Sequence, residues 1–261
     1  MESVRSGVDE QATRLLRAED TVTDRGPLTD ELPDLDLATA YRIQDETLCR
    51  RIERGEQLIG VKLGLTSQAK QRQMNVDRPV TAWLTDAMAL PAAVPLPWDR
   101  LIHPRVEPEI VFVMGRRLAG PGVTAASALA AVDRVYGGLE IIDSRYRDFR
   151  FTLPDVVADN ASSAYYVTGP LSASATALHL PLEACNLEVD GRIAATATGA
   201  AVQGNPAEAL AMAANSLAER DHAIEAGSIV LTGGMTDAIP LTRGSTVTAH
   251  FTHLGAVTLR C

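Results

Sequence analysis

The sequence predicts an α+β protein: a helical N-terminal portion (about 1–55) followed by a curved, mostly antiparallel β-sheet core (about 56–261). Three observations carry this. Apolar residues recur at helical spacing up to residue 55, and from residue 57 the period shortens. Strands then greatly outnumber helices and include a hairpin, whereas a doubly wound sheet would alternate the two. No repeat, low-complexity tract or flexible linker divides the chain, so its 261 residues read as one domain.

The elements follow in order. Val8, Ala12, Leu15 and Leu16 share one face of a first helix, broken at Asp24-Arg25-Gly26-Pro27. Asp36 caps a second helix, with Leu37, Ala40, Ile43, Thr47 and Leu48 along its stripe and an end near Gly55. Leu58 to Leu65 is a strand, and Thr66-Ser67 caps a short helix through about Met74. Glu107 to Met114 and Tyr136 to Asp143 are strands separated by a helix near Thr124 to Val132. Asn186 to Val189 and Arg192 to Ala194 flank Asp190-Gly191, the signature of a hairpin with a primed turn. Asn205, Pro206 and Glu208 open a helix whose stripe is Leu210, Ala211, Ala214, Leu217 and Ala218. Ser228 to Thr232, Thr246 to Phe251 and Ala256 to Leu259 finish the chain as strands.

Composition narrows the function classes. Apolar residues make up 46% and aromatics only 4%, so Ala, Leu, Val and Ile must build the core. A net charge of -9 excludes a binder of nucleic-acid phosphates, which needs a basic face. Met1 to Arg5 lacks the apolar core of a signal peptide. No apolar run approaches the roughly 20 residues of a membrane span. Cys49, Cys185 and Cys261 share no metal-type or CxxC spacing and cannot pair fully, which points to a reduced cytoplasm.

The chemistry gathers in apolar strands. Glu107 and Glu109 in Val106-Glu107-Pro108-Glu109-Ile110-Val111 project from one strand face, about 7 Å apart by the pleat repeat. Two carboxylates on a partly buried face repel each other, and burial raises both pKa values. A divalent cation relieves both costs, and oxygen ligands suit Mg²⁺, Mn²⁺ or Ca²⁺. The alternative is that both face solvent on an edge strand, where Pro108 would be tolerated. Glu140, opposite in parity to Leu139 and Ile141, either completes a three-carboxylate set or pairs with an arginine such as Arg105 or Arg134. On the strand Ile59 to Leu65, Lys62 shares its face with Gly60 and Gly64, where glycines mark close approach of a ligand or backbone. Its alternative is a snorkelling surface lysine. Three carboxylates with one divalent cation leave a charge of about -1, so an anionic substrate would need Lys62 and Arg145.

Val157-Ala158-Asp159-Asn160-Ala161-Ser162-Ser163, dense in small hydrogen-bonding groups, could orient a substrate carboxylate or form a loop of Asx-turns. Gly233-Gly234-Met235-Thr236 is a second candidate binding turn. The five histidines have no metal spacing and read as structural. There is no nucleophile elbow, P-loop or dinucleotide fingerprint.

Four segments occur in order: Gly60-Val61-Lys62-Leu63-Gly64-Leu65-Thr66-Ser67, His103-Pro104-Arg105-Val106-Glu107-Pro108-Glu109, Leu139-Glu140-Ile141-Ile142-Asp143-Ser144-Arg145-Tyr146 and Ala158-Asp159-Asn160-Ala161-Ser162-Ser163. Together they resemble the hydratase/decarboxylase family of the fumarylacetoacetate hydrolase superfamily, from about residue 36 onward. The resemblance implies that fold, and a role in meta-cleavage degradation of aromatic compounds. It implies Glu107, Glu109 and Glu140 as ligands of Mg²⁺ or Mn²⁺, Lys62 as the active-site lysine, and Ser162 in the substrate-contacting segment. Of the two activities, decarboxylation of 2-oxo-3-hexenedioate is favoured over hydration of 2-hydroxypenta-2,4-dienoate. Tyr146 to Phe151 and the Arg-Val-Glu-Pro-Glu segment resemble the decarboxylase version. Val80 stands where the hydratases usually carry an acidic residue. An apolar wall of Val80, Leu63 and Met74 would suit a departing neutral CO₂. The resemblance also implies a homo-oligomer and a complex with the hydratase of the same pathway. A non-catalytic partner subunit is the reading from another class, and the costly acidic set argues against it.

Overall fold

The computed structural model describes residues 2–67, 71–72, 76 and 78–261. The N-terminal portion holds helices α1 (Glu2–Asp20), α2 (Leu28–Glu31) and α3 (Leu37–Glu53). The Asp36 side chain accepts from Thr39 N at the start of α3, and Gly55, at φ 99°, lies just beyond its end. Strands follow as β1 (Leu58–Gly64), β2 (Val80–Thr85), β3 (Arg105–Met114), β4 (Val132–Ile142), β5 (Ser163–Ala173), β6 (Ala184–Val189), β7 (Arg192–Thr198), β8 (Ile229–Leu231), β9 (Ile239–Pro240), β10 (Thr246–Phe251) and β11 (Gly255–Arg260). Helices α4 (Ala125–Leu129), α5 (Leu153–Ala158) and α6 (Pro206–Ala218) lie between them.

The expected curved sheet is two packed sheets. One runs β2-β1-β8-β3-β4-β5, with β9 also on β3, and the other runs β11-β10-β6-β7. Every pairing is antiparallel except β1 with β8. The core between them takes Ile110, Phe112, Val135 and Leu139 from the first sheet and Leu187, Val247, Ala249 and Val257 from the second. Helix α6 adds Ala209, Leu210, Ala211, Ala213, Ala214 and Leu217 to this aromatic-poor core, four of them alanines. The β6–β7 turn has the primed geometry, with Asp190 at φ 49° and Gly191 at 78°.

Several expectations shift in detail. β1 stops at Gly64, and Leu65 turns to φ 56°. Gly60 answers to a backbone: a Cβ there would lie 1.9 Å from the Ile229 carbonyl oxygen of β8. The helix expected after Thr66-Ser67 falls largely on residues outside those described, as does Met74; Gln71 and Arg72 within it are helical. Strands β2, β5 and β9 carry no clear periodic signal. β2 is buried at every position and does not alternate, and β5 contains Gly169-Pro170 at a sheet edge.

The helical portion braces the strands that hold the site. Ala12, Leu15, Leu28, Ala40 and Ile43 pack with Val80, Ala82, Tyr146, Val157 and Ala161 in a second core. The buried Gln44 of α3 donates Nε2 to the carbonyls of both Thr81 (3.1 Å) and Val157 (2.9 Å). Asp155 of α5 accepts from the backbone and side chain of both Thr29 and Thr152.

Candidate metal centre and active site

β3 is a central strand, not an edge. Its partner on one side is β4, and on the other β9 and β8 leave a gap spanned by the Thr232–Met235 turn. Met235 N donates to the Pro108 carbonyl across that gap, so the missing N–H of Pro108 faces the turn and costs no ladder bond. The antiparallel register sets Glu107 directly opposite Glu140 and sets Glu109 opposite Gly138. Residues facing each other across a ladder share a sheet face, so all three carboxylates converge. Their oxygens lie within 4.8 Å of one another, and all three residues are buried, Glu109 completely.

Such a cluster is unstable without a cation. Burial first, then repulsion from Glu140 and Glu107, pushes the Glu109 carboxyl well above the ordinary glutamate range. Burial also raises Glu140, against the pull of Lys62. Glu109 Oε2 accepts from Gly233 N at 2.8 Å, while its Oε1 is buried with no hydrogen-bond partner. An orphaned carboxylate oxygen among two other carboxylates fits a hard divalent cation.

Lys62 is no surface lysine. It is 3% exposed, its Nζ lies 2.9 Å from Glu140 Oε1, and it donates to the Ala161 carbonyl at 2.7 Å. That carbonyl is presented by an unusual backbone. Asn160, Ala161 and Ser162 lie in succession at φ 49°, 49° and 59°, a region costly for side-chain-bearing residues. The Asn160 side chain exchanges two hydrogen bonds with the backbone of Trp83, and Ser162 Oγ donates to Asp159 Oδ2 at 3.2 Å.

A cavity of about 410 Å³ opens over the triad, lined by Lys62, Leu63, Val80, Glu107, Glu140 and Ser162 among others. Gly234 also lines it, and a Cβ there would fall 2.3 Å from a Glu107 carboxylate oxygen, so the turn seats against the ligand set only as glycine. A larger cavity of about 1230 Å³, beside Tyr41, Leu153 and Arg220, shares only Val80 with it. Among the described residues it brings together no set of converging carboxylates.

Arg145 is not on the cavity wall. Its buried guanidinium pairs with Asp159 and donates Nη1 to the carbonyls of Asp143 (2.7 Å) and Ser163 (3.0 Å). It therefore pins the strained 160–162 backbone instead of meeting substrate. Burial pushes Asp159 up to about 6 even against this cation. The second cation on the wall, beside Lys62, is Arg105, which the sequence offers only as a partner for Glu140, and Phe149 and Phe151 line the cavity with it. The signal for Arg105 is its parity with Glu107 and Glu109. His103 is structural: its ring nitrogen meets the Ser144 carbonyl at 2.8 Å.

Buried acids beside a buried lysine, open to a cavity of metabolite size, belong to an enzyme rather than a scaffold. The chain matches the fumarylacetoacetate (FAA) hydrolase C-terminal family over residues 58–261 and belongs to that family. It is 41% identical over 249 residues (95% of this chain, 94% of the relative) to 4-oxalocrotonate decarboxylase of Pseudomonas sp. (strain CF600). It is 38% identical over 239 residues (91% and 90%) to 2-hydroxyhexa-2,4-dienoate hydratase of Comamonas testosteroni. Among solved structures, 4-oxalocrotonate decarboxylase from Pseudomonas putida G7, complexed with magnesium and adipate, superposes with a TM-score of 0.96 at 39% identity, covering 98% of this chain and 97% of that one.

Proposed function

We propose that the chain is a Mg²⁺- or Mn²⁺-dependent carboxy-lyase that converts 2-oxo-3-hexenedioate to 2-hydroxypenta-2,4-dienoate and CO₂. The observation that carries this is the buried Glu107, Glu109 and Glu140 set with its orphaned Glu109 oxygen, beside Lys62. The decarboxylase relatives, at 40–41% identity, agree with it. The three glutamates hold the cation, which when bound supplies a Lewis acid for the substrate's 2-oxo group. In this substrate the C6 carboxylate is a vinylogous β-keto acid. Breaking C5–C6 releases CO₂ and sends the electron pair through C5, C4 and C3 to the 2-oxo oxygen. Lys62 holds positive charge beside the reacting carbons, where negative charge develops, and is placed to deliver the proton. Ser162 contacts the substrate. Val80 and Leu63 keep water from the dienolate, where the hydratase reaction would need it.

The helical portion and the β-rich core act as one catalytic domain, cytoplasmic by its three free cysteines. Exposed Leu171, Leu182 and Ile193 suit a homo-oligomer or a complex with the hydratase that consumes the product. No described helix is long and apolar enough to cross a membrane.

The deciding experiment is a two-substrate assay on EDTA-stripped protein. Added Mg²⁺ restores CO₂ release from 2-oxo-3-hexenedioate, at a rate above hydration of 2-hydroxypenta-2,4-dienoate. The reverse preference makes it a hydratase. Full activity of Glu109→Gln without added metal removes the metal centre from the account.

A further inference from the structure

Arg105, Glu107 and Glu109 alternate on β3 and so share one sheet face. The pleat repeat puts Arg105 about 7 Å beyond Glu107, on the side away from Glu109. The cavity is therefore lined by Glu107, Glu140, Asp237 and Lys62, and by a guanidinium further along the same strand as Glu107. Lys62 is committed, with Glu140 at 2.9 Å and the Ala161 carbonyl at 2.7 Å. Arg105 is not. No carboxylate, carbonyl or hydroxyl among the described residues accepts from its guanidinium, whose one recorded partner is the ring of Phe149, 4.0 Å below Cζ. Stacking on a ring face fixes the guanidinium plane while leaving its edge N–H groups, the fork that matches a carboxylate, unspent. Phe149 is itself held, tilted against His103 at 4.9 Å between ring centres.

We infer that Arg105 is the specificity-determining residue of this site: it receives the distal carboxylate of a dicarboxylate whose 2-oxo acid end lies at the glutamate triad. The inference rests on the reading of that triad as the 2-oxo acid end. The two carboxyl groups of a six-carbon dicarboxylate are separated by a distance of the same order as one pleat repeat. The residues at the two ends thus measure the substrate's length as well as its charge. A monocarboxylic 2-oxo acid of equal length leaves the guanidinium without an anion, which is where discrimination arises.

Binding in the presence of Mg²⁺ tests this without turnover. Two saturated probes serve, 2-oxoadipate and 2-oxohexanoate, which differ only in the distal carboxylate. Calorimetry on the wild-type protein expects 2-oxoadipate to bind tighter by about tenfold or more, the scale of one charge-assisted hydrogen bond. Arg105→Met, which keeps an apolar contact with Phe149, abolishes that preference while 2-oxohexanoate binds as before; Arg105→Lys restores part of it. Equal weakening of both probes in Arg105→Met would assign the guanidinium to the shared 2-oxo acid end and overturn the inference, as would an undiminished preference. CO₂ release by the wild-type protein, measured alongside, reports separately on the proposed activity. Failure there leaves the probe comparison readable.

Discussion

Glu107 and Glu140 stand directly opposite each other across the β3–β4 ladder, where two side chains on a sheet come closest. Two buried like charges in that register weaken the sheet at its centre unless a third charge joins them. Lys62 answers Glu140 on one side, and a divalent cation held by the three carboxylates would relieve the remaining repulsion.

Metal binding therefore stabilises the whole domain. At a Mg²⁺ concentration of about 100 times its dissociation constant the gain is about 2.7 kcal/mol. For a chain of this size that raises Tm by roughly 5–10 °C. Scanning calorimetry with and without Mg²⁺ checks it, and Glu109→Gln loses most of the shift.

Metal affinity rises with pH. Burial and its neighbours hold the Glu109 proton to unusually high pH when no cation is present, and a cation must drive that proton off. Titrations in two buffers of different ionisation enthalpy should show net proton release on Mg²⁺ binding, and an affinity that does not rise with pH contradicts this.

Lys62→Met separates charge at the reacting carbons from metal retention. Turnover falls by about 10²–10⁴, the range for a positioned proton-transfer group. Mg²⁺ binding persists, because the variant removes a cation that competes for Glu140. Stopped-flow rates beside a metal titration read both.

Gly234→Ala places a methyl against Glu107 and disturbs the ligand set without touching the packed sheets. Metal affinity and turnover drop together by an expected tenfold or more, equivalent to about 1.4 kcal/mol. The urea midpoint of the metal-free protein changes little.

Arg145→Met leaves Asp159 buried without its cation and costs about 3–5 kcal/mol. The pH sign follows from Asp159. Its folded-state pKa is already raised from 3.8 to about 6, so the fold favours the protonated form, and stability falls as pH rises through that window. Losing Arg145 raises this pKa further. The destabilisation is therefore larger at pH 8 than at pH 5, as urea midpoints at the two values would report.

Much of this site was legible because its chemistry violates its surroundings. Glutamates at 107, 109 and 140 and a lysine at 62 sit in strands otherwise apolar, and the structure brings those four together. Alternation along one strand predicts which side chains share a face, and it paired Glu107 with Glu109 correctly. It does not predict which strand lies opposite. The register that sets Glu140 against Glu107, and the parallel pairing of β8 with β1, are long-range facts. The same limit explains Arg145. An arginine beside an acidic strand reads as a substrate group until Asp159, Asp143 and Ser163 are folded around it. Arg105 reads in the sequence only as a partner for Glu140 for the converse reason, since nothing local says that a cation lacks a partner.

Gln44 has a consequence for modularity. One side chain of α3 holds carbonyls of β2 and α5, the elements that carry Val80 and lead into Ser162. The match to the C-terminal family begins only at residue 58, after that brace, whereas the alignment with the decarboxylase relative spans 95% of the chain and includes it. The core common to the wider family and the smallest working piece are therefore different objects. A fragment cut at the family boundary would keep every ligand and the lysine, yet lose the scaffold against which the cavity wall is drawn tight.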